Sequence, residues 1–307
     1  MRVLVTGASG FVGGHLLPAL SAAGHEVIAA SRSASVVKNG QWLLSPELGP
    51  GADWEPLLRG VDVVVHLAGR AHVPSETTGA DVEELYHRIN AEGSGALARQ
   101  AAAAGVTRFV LLSSCHAVAA EAEEPLTPDT VPHPATAYGR SKLAAEAAVR
   151  RELSGTGCAW TILRPPLVYG RGNRANFDRL ARLVKTGLPL PLGAVHNRRS
   201  FIYVENLADV ILAVISSPAA CGQTYLPSDG QDFSTPALIK LLAAATGQQA
   251  RLFSLPPSLL RMLSAGPGGG ALRKLTASLC VDSGPVCREL GWTPPFTMPQ
   301  GLAKLGL

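Results

Sequence analysis

Charge is scarce in this chain, and so are aromatic side chains. Asp, Glu, Lys and Arg fill 16% of the 307 positions, and Phe, Trp and Tyr fill 5%. The net charge of +4 comes without any Lys/Arg block. The basic balance is therefore no argument for nucleic acid, and an anionic small substrate suits it equally well. Cysteine is sparse too. Cys115, Cys158, Cys221, Cys280 and Cys287 are scattered, odd in number and without a CxxC pair. That pattern supplies neither a disulfide framework nor a zinc spacing, so reduced thiols in a cytoplasmic protein are expected, with no metal. Long apolar runs are missing as well. The stretch 11–20 is broken by Gly13, Gly14, His15 and Pro18, which leaves it too short to span a bilayer. A strand begins at residue 2 with no cleavable signal ahead of it, so membrane insertion is not expected. No internal repeat is visible.

What the chain does have is Ala, Val, Leu and Gly in globular proportion, and enough length for one large domain or a domain with a lobe. Apolar runs of strand length, at 2–6, 26–30, 62–67, 108–112 and 159–163, alternate with helical stretches at 11–23, 80–104 and 138–153. Continuous Val/Ile/Leu runs indicate strands buried on both faces, as in a parallel sheet. The alternation predicts an α/β fold: a Rossmann-type doubly wound parallel sheet with right-handed crossovers. After residue 170 prolines become frequent and elements short. We expect residues 1–170 to bind the cofactor. Residues 171–307 should form a smaller C-terminal substrate-binding lobe, partly interwoven with the sheet, with a glycine-rich turn at 266–270 between two helices.

Between the first strand and first helix lies Gly7-Ala8-Ser9-Gly10-Phe11-Val12-Gly13. Gly7 allows the tight turn, Gly10 lets backbone approach a pyrophosphate, and Gly13 lets the helix pack closely. The helix start, at Phe11 and Val12, then offers free N–H groups and a positive dipole end to the phosphates. A dinucleotide site follows. Its second strand ends Ala29-Ala30-Ser31-Arg32-Ser33, without the carboxylate that accepts from an NAD ribose. Arg32 and the serines can instead hold a 2′-phosphate, so NADP(H) is favoured, with NAD(H) as the alternative.

Tyr138 and Lys142 stand four apart, on one face of a helix. A nearby ammonium lowers a phenol pKa, and the tyrosine then exchanges a proton with a substrate oxygen. The preceding strand ends in Ser113-Ser114. Ser114 is the better candidate to orient that oxygen, while Ser113 serves the backbone or the cofactor. The predicted catalytic set is Ser114, Tyr138 and Lys142. Cys115-His116 is a weak candidate for a nucleophilic pair, because neighbours on an extended segment point apart.

With TGASGFVG at 6–13, DVVVHLAG at 62–69, Asn90 in INAEGSG, LLSS at 111–114, YGRSK at 138–142, LRPPLVYG at 163–170, NRRSFIYVENLADVI at 197–211 and RELGW at 288–292, the chain resembles the extended short-chain dehydrogenase/reductases of the NAD-dependent epimerase/dehydratase family. Within it the likeness is to the UDP-glucose 4-epimerase-like subgroup. The resemblance implies that Leu67, Ala68, Gly69 and Asn90 line the cofactor, that Glu47 and Leu48 touch adenine, and that Pro165 and Val168 flank the nicotinamide. It implies sugar-nucleotide contacts at Asn176 and Pro191, a pyrophosphate clamp at Arg199, and a homodimer through the helices near 80–104 and 138–153. One departure stands out. After the catalytic strand the chain reads Ser113-Ser114-Cys115-His116-Ala117-Val118, one residue longer before the valine than the family's usual loop.

Three functions fit. The first is NADPH-dependent reduction of a UDP-4-keto-hexose. The second is a UDP-hexose 4-epimerase (on UDP-glucose or UDP-N-acetylglucosamine) that retains NAD. The third is a non-catalytic NADP(H)-binding module, which the intact Ser114/Tyr138/Lys142 set disfavours. The missing acid and Arg32 tilt the choice towards the reductase.

Overall fold

The computed structural model describes residues 1–32, 41–71, 80–173, 176–256, 259, 262 and 270–306, without the side chains of 176, 178 and 271. Most of the expected turn at 266–270 lies outside this set. The chain runs β1 (Arg2–Thr6), α1 (Phe11–Ala22), β2 (Glu26–Ser31), β3 (Gln41–Leu44), α2 (Glu55–Leu58), β4 (Val63–His66) and α3 (Ala80–Tyr86). It continues through α4 (Gly93–Ala103), β5 (Arg108–Leu112), α5 (Ala137–Leu153), β6 (Ala159–Leu163) and β7 (Leu167–Tyr169). Then come α6 (Asn176–Lys185), β8 (Phe201–Tyr203), α7 (Val204–Ser216), β9 (Gln223–Tyr225), α8 (Thr235–Ala245) and short helices at Gly270–Thr276, Gly284–Leu290 and Met298–Ala303.

Seven strands form one sheet in the order β3-β2-β1-β4-β5-β6-β9, and every pairing is parallel. The period-2 alternation of a strand explains how both faces are filled. Val3 and Val5 turn to one core with Val63, Val65 and Val110, under Leu16, Leu17 and Leu20 of α1 and Leu207, Val210, Ile211 and Val214 of α7. Leu4 turns to the other core with Val64, Phe109, Leu111 and Ile162, under Leu97 and Ala101 of α4 and Ala145, Val149 and Leu153 of α5. This is the doubly wound sheet that the alternation predicts. The strand order reverses between β1 and β4, and in such sheets ligands bind outside the carboxyl ends at that point.

Beyond residue 170, α7 and β9 lie in the layers of the main sheet. A separate apolar cluster joins Phe177, Leu180, Ala181 and Val184 of α6 to Leu238, Ile239, Leu242 and Ala243 of α8, beside the small parallel pair β7–β8. Two local features differ from expectation. The sheet has an edge strand, β3, whose end residues are exposed and middle two half-buried, with no long apolar run. The helix expected over 80–104 is broken by a π-helical turn at His87–Glu92. Two close packings fix that turn. Gly93 sits so close to Leu48 that a Cβ there would come within 2.8 Å of its Cγ. Asn90 is drawn into three hydrogen bonds, with the backbone of Arg70 and with Ser141 Oγ.

Gly13 packs α1 onto the preceding turn, and a Cβ there would lie 2.4 Å from the Ala8 carbonyl oxygen. Backbone cannot yield cheaply at such a contact. Gly13→Ala should therefore lower unfolding stability by about 2 kcal/mol or more in chemical denaturation, with weaker dinucleotide binding in the same protein.

Candidate active site

The glycine turn meets the end of β4 at the switch point. Gly7 has φ +69°, and a Cβ on it would come within 2.8 Å of the Ala68 amide nitrogen. Leu67, Ala68 and Gly69 thus lie against the turn that Gly7 and Gly10 form. Beneath them runs a one-way chain of hydrogen bonds. Ser94 Oγ donates to the Asn90 carbonyl at 2.5 Å, so it accepts from His66 Nε2 at 2.9 Å. His66 Nδ1 is left to accept from Thr6 Oγ1 at 2.7 Å, and Thr6 Oγ1 in turn accepts from the Ala68 amide. Burial, helped by the charge of Lys142, drops the His66 pKa to about 3, so the ring stays neutral. Every polar atom of a fully buried imidazole is therefore satisfied, and the strand ends that face the cofactor candidates are locked together.

Helix α5 brings in the second motif. Thr136 caps it by accepting from the Gly139 amide at 3.0 Å. A Cβ on Gly139 would lie 2.3 Å from the His116 carbonyl oxygen, so the loop after β5 presses directly on the first turn of α5. That contact sets Ser114 beside Tyr138, close enough for the serine hydroxyl to lower the pKa of the phenol. Lys142 is buried one turn on and donates from Nζ to the Leu112 carbonyl at 2.8 Å. Gly69 lies beside it, and a Cβ there would crowd Asn90 Oδ1 at 3.2 Å while standing in ordinary contact with Nζ at 3.5 Å. Tyr86 stacks edge-on against Tyr138 at 6.1 Å.

The spacing of Tyr138 and Lys142 predicts a lowered phenol pKa, and the structure gives the opposite sign. Burial pushes Tyr138 up to about 12, with the Ser114 hydroxyl working against it. Burial also brings Lys142 down to about 8, opposed by the nearby Glu146 carboxylate. The ammonium points to the Leu112 carbonyl, so its influence is diverted from the phenol. The Cys115-His116 pair has no thiolate to offer. Cys115 is buried with Val118, Leu126 and Leu279, which raises its thiol to about 12.

A third residue continues the same face of α5 and escapes motif reading. Glu146 is fully buried. It accepts from Ser113 Oγ at 2.5 Å and forms a two-pronged ion pair with Arg164, at 2.9 and 2.7 Å. Ser113 is therefore bound to the helix. Its only visible signal in the sequence is spacing, four residues past Lys142.

Around this centre the other candidates fall as follows. Ser31, at the end of β2, donates to Ser9 Oγ in the glycine turn at 2.7 Å, and Arg32 beside it is exposed. Ser33 lies outside the described residues. Leu48 packs against Gly93, with exposed Glu47 next to it. Phe11 stacks edge-on against His15. Val12 and Val168 pack on the core, and the Pro165 carbonyl accepts from the Cys115 amide at 3.0 Å. Among the described residues no group of His, Cys, Asp and Glu has a metal-holding arrangement.

The C-terminal lobe contributes Arg199. Its Nη1 donates to the carbonyls of Lys274 and Ala277, at 2.8 and 3.1 Å, and its charge bears on Cys115 and His116. Arg198 behaves differently, with an exposed ion pair to Asp232. Lys274, absent from the motifs, also acts on His116, so two cations from the lobe face the loop after β5. Pro191 is half-buried in a turn held to residues 251–253. Asn176 opens α6, and its side chain lies outside the described residues.

The profile of the NAD dependent epimerase/dehydratase family matches residues 3–226. The chain belongs to that family. Its relatives include a UDP-glucose 4-epimerase of Vibrio cholerae, 33% identical over 98% of this chain and 93% of the relative. A GDP-6-deoxy-D-mannose reductase of Pseudomonas aeruginosa is 30% identical over 99% and 95%. Among solved structures, MoeE5 in complex with UDP-glucuronic acid and NAD superposes with a TM-score of 0.80 at 26% identity, covering 99% of this chain and 97% of that one. The fold and the enzyme class of the family are thus those of this chain.

A buried lysine at reduced pKa is a cost to folding at neutral pH. The unfolded chain binds this proton up to about 10.5 and the folded one only to about 8, so stability from this group rises between those values. Lys142→Met should raise the unfolding free energy of the protein without added cofactor by on the order of 1–3 kcal/mol at pH 7. It should also flatten the gain between pH 8 and 10, while abolishing turnover. Denaturation curves across that range, with parallel assays, check it.

Proposed function

We propose that this chain transfers hydride at C4 of a UDP-hexose, as an NADPH-dependent reductase of a UDP-4-keto-hexose. The oxidoreductase reading rests on one observation: Ser114, Tyr138 and Lys142 converge at the carboxyl end of β5, next to the glycine turn. In this reading the glycine turn and the start of α1 hold the pyrophosphate, Lys142 holds the nicotinamide ribose, and the nicotinamide supplies the hydride. Ser114 orients the keto oxygen. Tyr138 hands it a proton as the carbonyl is reduced. A phenol raised to about 12 keeps its proton throughout neutral pH, which suits a donor better than a base. Arg199, with Lys274 beside it, takes the substrate diphosphate.

The choice of cofactor rests on the end of β2. No carboxylate is there for a ribose 2′-hydroxyl, and Arg32 stands exposed next to Ser31. A second reading, a 4-epimerase that retains NAD, is favoured by the 33% identical UDP-glucose 4-epimerase and by the NAD in MoeE5. The relatives carry both an epimerase and a reductase name, so likeness alone does not choose between them. Free thiols at all five cysteines accord with the cytoplasmic, reducing setting we propose. Pairing through α4 and α5 remains our proposal for a homodimer.

Denaturing the purified protein and identifying what it releases separates the two readings. Little bound cofactor, with added NADPH binding better than NADH, is expected of the reductase; near-stoichiometric NAD⁺ would establish the epimerase instead. Arg32→Ala should weaken NADPH about tenfold or more and leave NADH within about twofold, by fluorescence titration. Equal losses would remove the 2′-phosphate argument. Tyr138→Phe should retain cofactor binding and lose about 10²–10⁴-fold in kcat on a UDP-4-keto sugar.

A further inference from the structure

Acidic side chains vanish from two stretches of the C-terminal third. Residues 179–204 contain five Lys or Arg and no Asp or Glu, and residues 233–281 again contain five and none. The whole of 171–307 has fourteen cations against seven anions, whereas 1–170 has thirteen against sixteen. The fold lays the two acid-free stretches side by side. Leu190 and Leu252 form a parallel bridge. The Leu190 amide donates to the Arg251 carbonyl at 2.8 Å, the Phe253 amide to the Leu190 carbonyl at 3.0 Å, and the Gly193 amide to the Phe253 carbonyl at 3.0 Å.

Large apolar side chains point outwards on this same face. Helix α6 buries Phe177, Leu180, Ala181 and Val184 against α8, which leaves Arg179, Leu183 and Lys185 on its outer side. The turn after α6 closes with the Gly187 amide on the Val184 carbonyl and delivers Leu188 to the surface. Leu183 is 38% exposed, Leu188 58% and Phe253 46%. Arg251 and Phe253, two apart on an extended segment, share the outward side.

Such a patch is more than scattered surface apolarity, because cations outnumber acids around it, with Asp178 the one acid of α6 and Arg198 and Arg273 paired to Asp232 and Glu121. A second copy of the chain is a poor occupant. Symmetric pairing sets a surplus of cations against the same surplus, with Asp178 the one acid of α6 to answer Arg179, Lys185 and Arg251. A bilayer with anionic headgroups meets both demands at once: cations find lipid phosphates, and Leu and Phe enter the interface. We propose that this face docks the protein peripherally on an anionic lipid bilayer, with Leu183, Leu188 and Phe253 entering the headgroup region and Arg179, Lys185 and Arg251 on the phosphates. The inference is independent of the reaction proposed above. No helix of the described residues is long and apolar enough to cross a membrane, so attachment by this face is superficial and reversible.

The test is flotation of the full chain with vesicles of mixed phosphatidylglycerol and phosphatidylcholine, and with phosphatidylcholine alone. The protein is expected to float with the mixed vesicles, to stay behind with neutral ones, and to be released by salt. The triple variant Leu183→Ser, Lys185→Glu, Phe253→Ser should partition about tenfold or more weaker, with unchanged melting temperature and NADPH affinity. Lys185→Glu alone, a single exposed change on α6, should show a smaller loss in the same direction. The proposal is overturned if the wild type stays behind with anionic vesicles, or if both variants float as it does. It is also overturned if sedimentation shows a dimer that the triple variant dissociates.

Discussion

A carboxylate sealed from solvent organises the candidate active site of this molecule. Glu146 is bound by Arg164 from the end of β6 and by Ser113 from the end of β5, while it rides on α5. Three elements, two neighbouring strands and the helix packed on them, are tied at one point by charge-assisted bonds. A buried ion pair of this kind adds little net stability compared with apolar packing, but leaving either partner alone costs several kcal/mol. The register of α5 on the sheet is therefore specified sharply. Lys142 and Tyr138 sit one and two turns earlier on the same helix, so that register decides where the ammonium and the phenol lie.

A low-dielectric interior also sets the protonation states. His66 is kept neutral, Lys142 is brought near neutrality, and Tyr138 is held as a phenol, in each case chiefly by burial. The dominant effect in the site is desolvation, and pairwise attraction between the motif residues is secondary. This explains why the four-residue spacing misleads about the tyrosine. Spacing reports which side chains share a face, but solvent access determines which of their charges is tolerated.

Much of the architecture was legible in the chain. The parallel strands betray themselves as unbroken Val/Ile/Leu runs, and the glycine turn lies between a strand and a helix as required. YGRSK and LLSS point to the same centre. Other parts carry no linear signal. His66, Ser94 and Thr6 form a relay whose members come from three elements, and no spacing links them. The π-helical turn arises from Asn90 and from the packing of Gly93 on Leu48, both contacts across the sequence. Edge strand β3 is too short and too exposed to display a pattern. Arg198 and Arg199 are neighbours in sequence with different fates, one on the surface with Asp232 and one turned to the catalytic loop. Only the sheet-like bridges of Arg199 to Phe233 and Leu279 decide which is which.

The contact of Gly139 with the His116 carbonyl has a consequence for how this scaffold can diversify. The loop after β5 is anchored at its front end by main chain, through Ser114, the Cys115 amide on Pro165, and the carbonyl that abuts Gly139. The Cys115 side chain adds burial against Val118, Leu126 and Leu279, whereas His116 is only half-buried and meets Gly139 through its main chain. A tight turn over Cys115–Ala117 carries these main-chain contacts. The placement of the serine hydroxyl thus depends on the main chain of this turn and on a small apolar side chain at 115 more than on the side chain at 116. Position 116 is therefore the place in this loop where side-chain change would least disturb how Ser114 stands against Tyr138.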